Sequence, residues 1–137
     1  MSVSQLSVFV ENRAGHLADT LETLAQGQVN VRSFTIADTA DYGILRLVVD
    51  DPEKAKGLLQ ASGYAVAEHP VVCAVLPDEP GALAAVARIV SESGLDIEYI
   101  YLGACDSLLL RTEEVERLEA LLADHGVRVL EPGDMAP

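Results

Sequence analysis

Short apolar, β-branched runs alternate along this chain with segments in which leucine or valine returns every three or four positions, so strands and helices are both predicted. The first run, Leu6-Ser-Val-Phe-Val10, ends in a polar turn carrying glycine, Glu11-Asn-Arg-Ala-Gly15. Leu17, Leu21 and Leu24 then recur on one helical face. Gly27 follows the last of them, where glycine ends helices by turning left-handed at little cost. Val29 to Ile36 and Ile44 to Val49 read as a hairpin. Asp50-Asp-Pro52 announces a second helix with an acidic cap and a first-turn proline; it carries Ala55, Leu58 and Leu59 and stops at Gly63. Tyr64 to Val66 read as a closing strand.

The same order then returns. Val72-Cys-Ala-Val-Leu76 repeats Leu6 to Val10 at an offset of 66, and at that offset Gly15 meets Gly81, Leu17 meets Leu83, Asn30 meets Asp96 and Val31 meets Ile97. A turn, Pro77-Asp-Glu-Pro-Gly81, leads into a helix with Leu83, Val86 and Val90, stopped by Gly94. Leu95 to Leu102 and Ser107 to Leu110 form the second hairpin. A helix starting at Thr112 carries Val115, Leu118, Leu121 and Leu122 to Gly126, and Val127 to Leu130 closes the unit. Between Gly63 and Gly126 the offset is 63, so the second copy is three residues shorter, and its hairpin turn at Gly103 to Asp106 is where they are missing. The expected fold is α+β, two ferredoxin-like βαββαβ units in tandem with antiparallel sheets, residues 1–69 and 70–137. Pro132 to Pro137 have no pattern and are expected to fray.

Composition narrows what such a fold can do. Of 137 residues 50% are hydrophobic, enough for packed interiors. The net charge of -13, from 9 basic against 22 acidic residues, opposes nucleic acid and anionic membrane surfaces. Only 4% of the chain is aromatic, against an RNA-recognition module that stacks bases on its sheet. No apolar stretch approaches a membrane span and the first residues lack a secretion signal, so the expected location is the cytoplasm. Cys73 and Cys105 are far apart, without metal-ligand spacing, and are expected to be free thiols. His16, His69 and His125 fall at a helix start, a linker and a helix end, and no nucleophile, base or metal set converges. Neither catalysis nor a cofactor is expected.

The recurring feature is the glycine turn before each first helix, because a helix N-terminus offers unpaired N–H groups and the positive end of a dipole to a carboxylate. Glycine there also serves the tight turn alone. Asn12-Arg-Ala-Gly-His-Leu17 and Asp78-Glu-Pro-Gly-Ala-Leu83 resemble the Asn/Asp-x-Pro-Gly-x-Leu signature that opens ACT domains, with Ala14 standing where the family has proline. Gln28-Val-Asn-Val31 and Gly94-Leu-Asp-Ile97 resemble the segment that follows the helix, and the run from Ile36 to Leu47 is similar to that of stand-alone tandem ACT proteins. The resemblance covers residues 4 to 131. It implies an amino acid held between two ACT units, the turn of one facing the second strand of another. By position the turns are Asn12, Arg13, Ala14, Gly15, His16 and Leu17, and Asp78, Glu79, Pro80, Gly81, Ala82 and Leu83. The facing strands are Asn30, Val31 and Arg32, with Asp96, Ile97 and Glu98. Asp78, Asp96 or Glu98 would accept from the ligand's ammonium.

The resemblance further implies a homodimer and, as partner, a regulated enzyme or other subunit. The alternative is an interaction module that binds no small molecule and pairs through exposed sheet edges. Arg32 reads more readily as a solvated edge cation than as a ligand contact, and His16 as an exposed helix-start residue. Tyr99 and Tyr101 read as interface packing, and Glu113, Glu114, Glu116 and Glu119 as a solvated helix face.

Overall fold

The computed structural model describes residues 2–11, 15–38 and 42–135. The chain packs as two compact units whose bodies are Ser4–His69 and Pro70–Asp134. The elements are β1 (Val3–Glu11), α1 (His16–Gln26), β2 (Val31–Asp38), β3 (Tyr42–Val49), α2 (Pro52–Ala61), β4 (Ala65–Val75), α3 (Ala82–Ser93), β5 (Tyr99–Leu102), β6 (Ser107–Arg111) and α4 (Val115–Asp124), followed by a 3-10 turn, Pro132–Met135. The expected α+β architecture of tandem ferredoxin-like units with antiparallel strands is present.

In the first unit β3 pairs antiparallel with β1 and with β2. The leading half of β4 lies beside β1, where the Ser4 hydroxyl donates to Glu68. Leu6 opposite Leu47 and Val8 opposite Leu45 turn to one face, where Leu24, Ala55 and Leu59 from the two helices complete the core. Each such leucine, fully withdrawn from water, stabilises the fold by roughly 1.5–3 kcal/mol. Gly27 caps α1 without turning left-handed (φ -83°), and Gln28 takes the positive φ of 62° instead. α1 stops at Gly27 as expected, and a β-carbon there would also run into the Leu58 side chain of α2, so this glycine serves the close approach of two helices as well. Asp51 caps α2 as expected, its carboxylate accepting from the Lys54 N–H at 3.2 Å.

The second unit repeats the plan. β6 pairs antiparallel with β4 and β5, and Val72, Ala74, Leu108 and Leu110 meet Val86, Val90, Leu118 and Leu122. Its last strand is cut to one bridge, Ala74 with Val129, framed by Val75 N–H to Arg128 O (2.9 Å) and Leu130 N–H to Cys73 O (2.7 Å).

Several boundaries move. The expected closing strand, linker and opening strand are one strand, β4, which contains His69. β2 and β5 start at Val31 and Tyr99 instead of Val29 and Leu95. α4 starts at Val115, because Thr112 is occupied: its hydroxyl donates to Asp96 O and accepts from the Glu114 N–H. The tail is not unpatterned: Glu131 N–H donates to the Asp134 carboxylate at 2.8 Å and closes the 3-10 turn.

Candidate functional site

Both first helices begin on a left-handed glycine, Gly15 (φ 89°) before α1 and Gly81 (φ 90°) before α3, and neither has a side-chain cap. Each glycine's carbonyl accepts the first helical bond, from Asp19 and from Ala85, both at 2.9 Å. No atom lies within 4 Å of a β-carbon built on either residue, so the sign of φ, not crowding within the protein, requires glycine. In the second turn Glu79 N–H donates to Pro77 O (2.9 Å) and Ala82 N–H to Glu79 O (3.3 Å). The next two N–H groups, of Leu83 and Ala84, have no backbone partner among the described residues. They are available to an external acceptor. Asn12, Arg13 and Ala14 lie outside the described residues.

Two clefts flank the second turn. One, of about 300 Å³, lies between the turn and the β5–β6 hairpin, and its ionisable lining is entirely acidic: Asp78, Glu79 and Asp106. The other, of about 590 Å³, opens between the first half of α3 and the segment after α4. Leu76, Ala85, Val86, Ile89 and Val127 line it, with Glu79, His125 and Arg128 as its charged or titratable groups. His125 and Arg128 were not among the residues expected from the sequence.

The strand-side residues lie elsewhere. Asn30 is exposed and exchanges hydrogen bonds with Asp50, its N–H donating to Oδ1 at 3.0 Å and its carbonyl accepting from the Asp50 N–H at 3.1 Å. Val31 packs against the core, and Arg32 sits where the register of β2 slips between Val31 and Ser33. Asp96 is exposed; with Ile97 it lines a third hollow of about 320 Å³ at the far end of α3. The 12 residues of α3, about 18 Å of helix, separate the Gly81 turn from the segment that carries Asp96 and Ile97, so one unit does not bring the two halves of the expected site together. Glu98 is engaged by Arg111, Nε to Oε2 at 3.1 Å. His16, expected exposed, is half-buried as the first residue of α1.

Leu17 and Leu83, read from the sequence as members of the buried stripes, are instead exposed. So are Phe34 and Ile36 on β2, and Ile100 and Leu102 on β5, all six between 36% and 61%. These are the same three positions in each unit, 66 residues apart, and they account for all the large exposed apolar side chains among the described residues except Phe9. Tyr99 and Tyr101 stack with ring centroids 6.4 Å apart. Among the described residues no group of three or more His, Cys, Asp or Glu could hold a metal ion, and no helix is long and apolar enough to cross a membrane.

A family model described as an ACT domain pair matches residues 1–136. Among solved structures, a protein from Bacteroides thetaiotaomicron is similar with a TM-score of 0.92 at 36% identity, over 98% of this chain and 96% of that one. The ligand-free regulatory subunit of aspartate kinase from Thermus thermophilus has a TM-score of 0.65 at 17% identity, over 90% of this chain and 91% of that one. Its counterpart from Thermus flavus has 0.65 at 16%, over 90% and 92%. At those identities the two subunits share the fold. Nothing among curated proteins matches the chain.

Proposed function

Because the chain belongs to the ACT domain pair family, we propose that it is a regulatory protein that binds an amino acid and acts on a partner without catalysing a reaction itself. The observation that carries this reading is the uncapped α3 behind left-handed Gly81, with the N–H groups of Leu83 and Ala84 unclaimed and Leu83 lining the hairpin-side cleft. A carboxylate accepts from such groups and is favoured by the helix dipole. The ammonium would then go to an acidic side chain, Asp78 of the same turn or Asp96 brought by another ACT unit, since Glu98 already serves Arg111. The fold shared with aspartate kinase regulatory subunits supports a regulatory role.

A second reading, an interaction module with no small-molecule ligand, draws on the apolar triplets Leu17/Phe34/Ile36 and Leu83/Ile100/Leu102. One experiment separates the two. A ligand that binds only the folded protein stabilises it by about 2.7 kcal/mol at a hundred times its Kd. A thermal-shift screen of the full chain against the twenty amino acids is expected to give a rise of several degrees with a few of them. A melting temperature unmoved by any at millimolar concentration would overturn the sensor reading and leave the interaction module.

A further inference from the structure

Resting on the amino-acid reading above, we infer that the ligand at the Gly81 turn carries a cationic side chain, as lysine and arginine do, and that this side chain enters the cleft between the turn and the β5–β6 hairpin. The inference follows from what remains once the ligand's carboxylate and ammonium are placed. The Leu83 N–H is unclaimed and Leu83 lines this cleft, so a carboxylate held there puts the rest of the molecule at the cleft's mouth, open on its other side to a second ACT unit. Asp78, Glu79 and Asp106 line the cleft, and no basic side chain among the described residues does. One carboxylate suffices for the ammonium. With a neutral side chain the ligand leaves the other two unneutralised close to its own carboxylate, a like-charge contact that a second cation relieves.

The apolar part of the cleft fits the stem of such a side chain. Leu76 is buried, whereas Leu83 and Leu102 are 46% and 61% exposed, so methylene groups laid against them leave water while the charged end reaches the carboxylates, as lysine and arginine stems lie on apolar surfaces elsewhere. The two walls are tied together. The Leu76 N–H donates to the Asp106 carbonyl at 2.7 Å, and the Ser107 N–H, donating to the Ala104 carbonyl at 3.2 Å, closes the hairpin turn that presents Asp106. Asp106 stands there in the left-handed region (φ 58°), which aspartate and asparagine enter more readily than most residues. Its carboxylate is therefore carried by a turn fastened to the residue that follows β4. The net charge of -13 adds to the preference by drawing cations to the surface.

Calorimetric titration of the full chain with L-lysine and L-arginine, against L-glutamate and L-norleucine, which keeps the lysine stem without its charge, tests this. Lysine or arginine is expected to bind about tenfold more tightly than norleucine, the worth of one charged hydrogen bond, and glutamate more weakly still. Glu79 and Asp106 are exposed, and asparagine tolerates the left-handed backbone as aspartate does, so the Glu79→Gln, Asp106→Asn protein should fold and bind lysine no better than norleucine. Equal affinity for the cationic amino acids and norleucine, a response confined to neutral or acidic amino acids, or undiminished lysine affinity in the folded double variant would overturn the inference and leave the broader reading intact. Binding of none of the four, with no thermal response to any other amino acid, would overturn both.

Discussion

Gly27 has a backbone any residue could adopt and is glycine for the space it leaves Leu58, whereas Gly15 and Gly81 have open space around them and are glycine for their positive φ. Substitutions therefore act differently at the two kinds of position. Aspartate at Gly15 and Gly81 has room, but a left-handed L-residue costs about 1–2 kcal/mol at each. The Gly15→Asp, Gly81→Asp protein should thus keep its circular dichroism spectrum, melt several degrees lower, and lose its amino-acid response because a carboxylate stands at the helix N-terminus. Undiminished affinity in the folded double variant would remove the turns from the site. The turn demand was legible in the sequence because the pattern Gly-x-Leu occurs twice in the same place. The demand at Gly27 was not, because it is set by a side chain on the next helix, and periodicity carries no record of which helix faces which.

At the scale of elements, helix stripes were the most legible and strand ends the least. Val86, Val90, Leu118 and Leu122 sit where a 3.6-residue period puts them. β4 was read as two strands with His69 in a linker between them; the strand passes through His69 and Pro70, and the Pro70 carbonyl accepts from Arg111 Nη1 at 3.0 Å. Continuity buries β4 on alternate sides, so that Cys73 points away from the Val72–Ala74 core face yet is fully buried. Burial pushes its thiol from 9.0 up to about 11, outweighing the opposing hydrogen bond with Ser107. The native chain therefore keeps this proton where the unfolded chain has lost it. Stability that is complete below pH 9 falls as pH rises through the window from 9 to about 11. Urea midpoints measured across that window should fall less steeply for Cys73→Ala than for the parent; identical slopes would mean the thiol is not held protonated.

For the whole molecule, the repeat that made the fold readable also marks a surface that composition could not locate. Leu17, Phe34 and Ile36 in one unit and Leu83, Ile100 and Leu102 in the other leave water-facing apolar side chains on each first helix and each second strand. A position exposed in a monomer can lose its leucine at little cost, so finding the apolar residue at all three places in both units argues that something covers them. The occupant we expect is a second copy of the chain, pairing these faces. Two such copies, each with a net charge of -13, approach against mutual repulsion that salt screens within about 10 Å at 0.1 M. Association driven by apolar burial against that repulsion should tighten as salt is raised, the reverse of a salt-bridged interface. Light scattering coupled to size exclusion is expected to give a dimer whose dissociation constant falls between 20 mM and 300 mM salt. Ile36→Glu with Leu102→Glu, both at exposed sites, should yield a folded monomer at every salt concentration. A parent chain that stays monomeric throughout would assign the triplets to a different partner, and a double variant that stays dimeric would place the interface elsewhere.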